Sequence, residues 1–367
     1  MSGHLKQQAS DRIEICCFSI IDKLSEMGWM AMGRVRLVDI AEKVGVSSVT
    51  VHNALSGQKG VSDEMREKIL KAAKEMGYKQ DAPARKKEPG TQGFWKIGVI
   101  IAENYLAHYS TYYWKMYQEL SLIATEKQCY TTIEVLKKEA EKKTLELPRI
   151  VTNNGIDGLI IIGEIDKGYV RHLKKSLQKP IVFLDFYDNE IARDAVIADN
   201  FQGMYQMTEL LFAQGFREIG FIGSIYATSS IMDRYCGFLK SVMQHRIQVP
   251  EEWVIGDRDE LGQVGFELPN RLPQAFVCNC DLVAGILISK LKEQGYRIPE
   301  DISVTGFDNF LQPGYADMRI TTYEINTKTM AKAAVDKILK QLKNPDRGRG
   351  LEIISGRVLW KNSVKIK

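Results

Sequence analysis

Eight short apolar runs limit what this chain can fold into. KIGVIIA, YTTIEVL, GLIIIG and PIVFLDF come first, followed by EIGFIG, WVIGD, AFVCN and ISVTGFD, and most of the gaps between them are long enough for a helix. Runs that are apolar on both faces fit strands of a parallel sheet with helices on either side, because in that setting neither face meets water. Helical spacing fills the gaps at Tyr113 to Lys127, Gly203 to Gln214, Ile231 to His245, Val283 to Gln294 and Thr327 to Leu342, and a last strand is expected near Arg357 to Lys361. Two doubly wound halves follow. In such sheets ligands enter the crevice outside the carboxyl ends of the strands, so chemistry is sought in the loops after each run.

The first hundred residues are different. Residues 1–33 form a leader in which Ile13, Cys16, Cys17, Ile20, Ile21, Leu24 and Met27 recur at helical steps, while Met30 and Met32 stand just ahead of the first clearly patterned segment. Residues 34–78 read as three short helices and residues 79–95, broken by Pro83, Pro89, Gly90 and Gly93, as a hinge or linker. Residues 96–367 are the two-halved core, and the chain is expected to cross between halves near 195–200, 322–326 and 343–352. From Arg34 to Lys87 there are twelve Lys or Arg against seven Asp or Glu, a surplus larger than the net charge of +4 carried by the whole 367-residue chain. The cationic excess is therefore local, as a phosphate-binding surface would require.

Within that basic part, LVDIAEKVG places Leu37, Ile40, Ala41 and Val44 on one stripe before Gly45 turns the chain. Ser47 then caps SVTVHNALSG, and a third helix starts at Ser62 with Asp63 and Glu64 in its first turn and stops at Gly77. A small core is expected from Ile40, Ala41, Val46, Leu55 and either Val49 or Val51. Ser48, Thr50, His52 and Asn53 remain outward, where a core-facing helix would carry Leu or Ile. A Gly-turned helix pair with a polar second helix suits the major groove of DNA, although a small bundle used for protein contacts has the same outline.

The run VDIAEKVGVSSVTVHNALSG followed by VSDEMREKILKAAKEMGY resembles the DNA-binding headpiece of the LacI/GalR (lactose-repressor) family. PIVFLDF, VIADN, FREIGFIG, DRYCGF, VPEEW, FVCNCDLVA and IPEDISVTGFDNF resemble its core, so that about 330 of the 367 residues are covered. The resemblance implies a helix-turn-helix headpiece, a hinge, and a core like that of periplasmic sugar-binding proteins which senses a small molecule. It places Ser48, Val49 and Asn53 where the family reads bases, and Ser47, Thr50 and His52 near phosphates. An asparagine amide can pair bidentately with adenine. Many relatives carry Ser-Arg where this chain has His52-Asn53, so a different operator is expected. In the hinge Ala84 and Arg85 match the family, but Lys87 replaces the leucine that wedges into the minor groove, and a lysine cannot unstack bases.

The resemblance also places Arg234, in MDRYCGF, and Asp281, in CNCDLVA, where the family grips its effector. A guanidinium fork and a carboxylate offer what a sugar's hydroxyls need. Tyr105, Tyr109, Tyr112 and His108, after the first strand, could floor a sugar ring. Arg258 and Asp308 also follow strands, and Asp308 could equally serve the local fold.

Catalytic signatures are missing: there is no G-x-x-x-x-G-K-[ST], H-E-x-x-H or G-x-S-x-G, and five scattered histidines form no ligand-spaced pair. Six sparse cysteines fit a reducing cytoplasm, and Cys278 and Cys280 lack metal-site spacing. The expectation is a cytoplasmic regulator, a repressor. It would act without enzyme activity, metal, cofactor or membrane, as a homodimer on a pseudo-palindromic double-stranded operator, controlled by a small molecule of the sugar class. The rival reading is a sugar-binding transport-type protein, which has no use for three basic helices.

Overall fold

A computed structural model of the chain describes residues 35, 37–55, 61–76, 78, 94–106, 112–259, 262–310 and 319–366. Two compact units divide it, Met1–Gly93 and Phe94–Lys367.

The first unit holds helices α1 (Leu37–Val44), α2 (Ser48–Leu55) and α3 (Asp63–Glu75). Ile40 and Ala41, Val51 and Ala54, and Ile69, Ala72 and Ala73 form one shared core in which alanines let the helices approach closely. Gly45 makes the turn at φ +76°, a left-handed conformation open to glycine at little cost, and the amides of Gly45 and Val46 both donate to the Ala41 carbonyl. The choice the sequence left between two valines is resolved: Val51 is fully buried and Val49 is 66% exposed. Val46 and Leu55 pack against the core without being enclosed by it. Ser62 caps α3 by accepting from the Met65 amide, while Gly77, the expected stop, lies outside the described residues.

In the second unit the elements run β1 (Trp95–Ala102), α4 (Tyr112–Glu126), β2 (Cys129–Leu136), α5 (Arg149–Thr152), β3 (Gly158–Ile162), α6 (Lys167–Ser176), β4 (Ile181–Leu184) and β5 (Ala195–Ala198). They continue as α7 (Asn200–Ala213), β6 (Ile219–Ile222), α8 (Ser229–Gln244), β7 (Val254–Ile255), β8 (Ala275–Cys278), α9 (Asp281–Glu293), β9 (Ser303–Asp308), β10 (Thr321–Glu324), α10 (Thr327–Lys343), β11 (Leu351–Ile354) and β12 (Arg357–Leu359). Two six-stranded sheets result, ordered β11-β5-β4-β3-β1-β2 and β12-β10-β9-β8-β6-β7. Every pairing is parallel except β12 with β10. β3, β4, β5, β6 and β8 are buried at each residue, as strands covered on both faces must be. WVIGD contributes only the two-residue edge strand β7, because Trp253 belongs to a helical turn begun after Pro250.

The chain passes between the sheets at Asp199, at Ile325–Asn326 and at Ser355–Gly356, as sheet membership shows. The third passage corrects the expectation of 343–352. That stretch stays with the first sheet because the Asp194 carboxylate takes both the Arg349 guanidinium, at 2.6 Å, and the Gly350 amide, at 2.8 Å. Buried Lys337 also donates to the Gly350 carbonyl at 2.9 Å, and β11 then pairs with β5.

Candidate functional site

On the first unit the candidate surface is the outer face of α2. Ser48, Val49 and His52 are exposed and Asn53 half-buried, and their spacing puts them on adjacent turns of one face. Ser47 has a structural duty as well: its hydroxyl accepts from the Thr50 amide at 3.1 Å and lies 2.9 Å from the Thr50 hydroxyl. Arg66 of α3 donates to the Ala54 carbonyl at 3.0 Å, tying the end of α2 to the bundle. Ala84, Arg85 and Lys87 of the hinge, like Tyr109 and His108 of the core, lie outside the described residues.

On the second unit the loops after the strands of both sheets meet around Arg234, which α8 supplies. Its Nε donates to Asn200 Oδ1 at 2.8 Å and Nη1 to the Asn279 carbonyl at 2.6 Å, while Nη2 stands 3.0 Å from Asp308 Oδ1. The guanidinium lies 4.0 Å from the centroid of the Phe307 ring, a cation–π contact inside a buried environment. Asp308 ends β9 at φ +93° and Asn309 follows at +50°, a strained pair of the kind that functional sites retain. Burial raises the Asp308 carboxyl, and the charge and hydrogen bond of Arg234 oppose the shift.

Facing this group from the first sheet is Asp185, the residue after β4, held at φ +64° with its amide on the Val196 carbonyl. Its Oδ1 is buried without a partner, as is Tyr112 Oη. Burial pushes the Asp185 carboxyl up to about 7; the Arg234 charge opposes the shift and the Asp308 charge adds to it. Tyr112 meets Tyr113 at 5.5 Å and, from the second half, Phe310 at 6.1 Å, both edge to face. Tyr105 has a supporting place: its hydroxyl donates to the Glu164 carbonyl at 2.8 Å and its ring fills the space beside Gly163. The Glu164 carboxylate in turn accepts from the Ser229 amide at 2.8 Å and hydroxyl at 3.1 Å. Glu164 follows β3 and Ser229 opens α8, so this carboxylate joins the two halves at a helix N-terminus, where backbone N–H groups and the dipole both favour an anion.

Two sequence candidates sit differently from the rest. Asp281, at the start of α9, is turned toward β9: its Oδ2 accepts from the Phe310 amide at 2.9 Å, and a Cβ on Gly306 would stand 2.0 Å from its Oδ1. It therefore positions the Asp308–Phe310 loop. Arg258 spans the carboxylate of its neighbour, with Nε 3.0 Å from Asp257 Oδ1 and Nη2 2.6 Å from Oδ2. Burial alone would raise Asp257, yet the Arg258 fork, the Ser224 amide and the Asn279 amide hold it below the ordinary carboxylate range. The structure thus brings Arg234, Asp308, Tyr112 and Asp185 together and sets Asp281, Arg258 and Tyr105 around them as supports. Asp185, Glu164, Asn200, Asn279, Tyr113, Phe307 and Phe310 were not anticipated; the one available signal was a carboxylate closing the otherwise apolar run PIVFLD.

Burial also pushes Asp281 up to about 7. With both carboxyls raised from an ordinary 3.8, the folded chain keeps protons that the unfolded chain has already released. Stability contributed by these groups is therefore full below about pH 4, declines as pH rises, and is gone above about 7. Thermal unfolding of ligand-free protein between about pH 5 and 8 should show the melting temperature falling, and Asp185→Asn should flatten the slope. A melting temperature that climbs steadily over that range in both proteins would contradict this.

Among the described residues no helix is long and apolar enough to cross a membrane. Residues 36–81 match the model of the bacterial regulatory proteins of the lacI family, and residues 208–364 that of the periplasmic binding protein-like domain. The PurR-type transcriptional repressor of Mannheimia succiniciproducens is 26% identical over 339 residues, covering 89% of this chain and 98% of the relative. The ribose operon repressor of Haemophilus influenzae is 23% identical over 334 residues, 89% of this chain and 97% of the relative. Among solved structures, a lac repressor dimer bound to operator and an anti-inducer aligns with TM-score 0.59 at 20% identity, covering 90% of this chain and 99% of that one. The CelR–cellobiose complex aligns with TM-score 0.61 at 16% identity, covering 90% and 100%. The chain thus carries a headpiece of the lacI family of bacterial regulatory proteins followed by a periplasmic-binding-protein-like domain, the same combination of parts as in repressors of that family.

Proposed function

We propose that the protein is a transcriptional repressor whose hold on its operator is set by a small polar molecule bound between the two halves of its core. The observation that carries the proposal is the coexistence, on one chain, of an α2 face bearing Ser48, Val49, His52 and Asn53 with a buried polar crevice centred on Arg234, Asp185 and Asp308. Ser48, Val49 and Asn53 read bases; Ser47, Thr50 and His52 serve the phosphate backbone, and Ala84, Arg85 and Lys87 of the hinge also bind DNA. A headpiece of three short helices reads few base pairs, so two copies act on a two-fold-related site as a homodimer. The chain works in the cytoplasm and catalyses no reaction; its crevice groups recognise rather than transform. Similarity to a ribose repressor and to a cellobiose complex supports a hydroxyl-rich effector of the sugar class.

Selecting genomic fragments bound by the full-length protein and then screening sugars for release tests this reading. Recovery of a pseudo-palindromic site that a sugar-class molecule releases or tightens is expected. Fragments without shared sequence would defeat it.

The Glu164 link to Ser229 joins the halves, so its loss should favour an open crevice. Glu164→Ala should raise the radius of gyration of the ligand-free protein in small-angle scattering and weaken effector binding several-fold, in line with the loss of a charge-assisted bond. Identical scattering would show that the link does not govern closure.

A further inference from the structure

The crevice offers an unequal supply of hydrogen-bonding and charged groups. Two carboxylates, buried Asp185 and largely enclosed Asp308, converge on it, with buried Asp281 behind the Asp308–Phe310 loop, against one central cation, Arg234. Arg258 does not redress the balance, because Asp257 takes its fork. Nor is Arg234 mainly available to a ligand: of the five N–H groups a guanidinium carries, three point at Asn200, Asn279 and Asp308. Asp185 Oδ1 and the Tyr112 hydroxyl are buried with no hydrogen-bond partner, and Asp308 Oδ1 has Arg234 beside it. Around them stand aromatic rings from both halves, Tyr112 and Tyr113 on one side and Phe310 on the other.

Resting on the effector reading above, we propose that the ligand carries a protonated amine alongside its hydroxyl groups, as in an amino sugar or amino alditol, with the ammonium lodged between Asp185 and Asp308 against the rings. An anionic ligand would add a charge of the wrong sign to a desolvated acidic site. A neutral sugar would satisfy the acceptors but leave a buried carboxylate uncompensated unless a proton is taken up. An ammonium supplies three donors and the missing charge, and aromatic faces attract it further. Burial raises the Asp185 carboxyl, and a cation lodged beside it would hold it ionised.

The test is calorimetric titration of the full-length protein with matched pairs at neutral pH: D-glucosamine against D-glucose, D-galactosamine against D-galactose, and glucamine against sorbitol. The amine of at least one pair should bind about tenfold or more tighter than its neutral partner, and Asp185→Asn should shrink that gap below about threefold. Neutral compounds that bind as tightly as their amines, or a panel in which no amine binds, would overturn the proposal. A neutral sugar that releases operator DNA while the amines do nothing would overturn it too, yet leave the effector reading standing. A selected operator that no compound of either kind releases would instead count against that reading.

Discussion

Arg234→Ala should lower the stability of the core by roughly 3–5 kcal/mol and abolish the response to effector, while operator binding by intact protein at low temperature survives. The size of the loss comes from what is left behind. Arg234 and Asp308 are both largely enclosed, and truncating the guanidinium strands the Asp308 carboxylate in a site where Asp185 and Asp281 already repel it. The Asn200 carboxamide oxygen and the Asn279 carbonyl lose their donor in the same step. A double variant, Arg234→Leu with Asp308→Leu, separates the two effects: removing both charges should recover much of the stability, because a buried pair replaced by apolar groups is often neutral, and none of the response. Differential scanning calorimetry with operator-release assays reads both quantities. Wild-type release in the double variant would remove Arg234 and Asp308 from the effector site.

Asn53→Ala should cost about 1–3 kcal/mol of base discrimination in each half-site, compounding over a two-fold-related pair. Weak association with any duplex should persist, with an unaltered dependence on salt, because the basic surface is untouched. Fluorescence anisotropy against the selected operator and a scrambled duplex, at several salt concentrations, separates specific from general binding. Equal operator affinity in variant and wild type would sink the base-reading role. Truncation should leave the fold intact, since Asn53 is only half-buried while Val51 and Ala54 carry the packing.

How far the sequence spoke depended on whether a property was periodic. The alternation of apolar runs with helical stretches is a repeating signal, and it led to both sheets and to the headpiece helices. Val49 and Val51 could not be told apart because a lone V-x-V fits either face of a short helix; the packing of Ile40 and Ile69 decides for Val51. Asp185 was passed over because it closes an apolar run and reads as the strand's end, and only the +64° backbone turn reveals that its carboxylate leaves the sheet. Asp281 was assigned to the ligand and found against Gly306 and the Phe310 amide, a contact between segments 25 and 29 residues away that no local pattern encodes. The third passage between halves was misplaced because a polar loop after a helix looks like a crossing. The ties of Asp194 to Arg349 and Gly350 become visible only once β5 and β11 lie side by side.

The three passages have a mechanical meaning. β11 neighbours β5 in one sheet and β12 neighbours β10 in the other, so the connections at Asp199, Ile325–Asn326 and Ser355–Gly356 run close beside one another. The last is pinned where the Gly356 amide donates to Tyr323 Oη at 2.8 Å, with no room for a side chain since a Cβ there would stand 2.2 Å from the Glu324 carbonyl. A single tether would let the lobes swivel and two would still allow twist, whereas three side by side leave bending as the easy motion. Crevice opening is then a one-parameter coordinate. Ligands of different shape then differ only in the opening that they select along it.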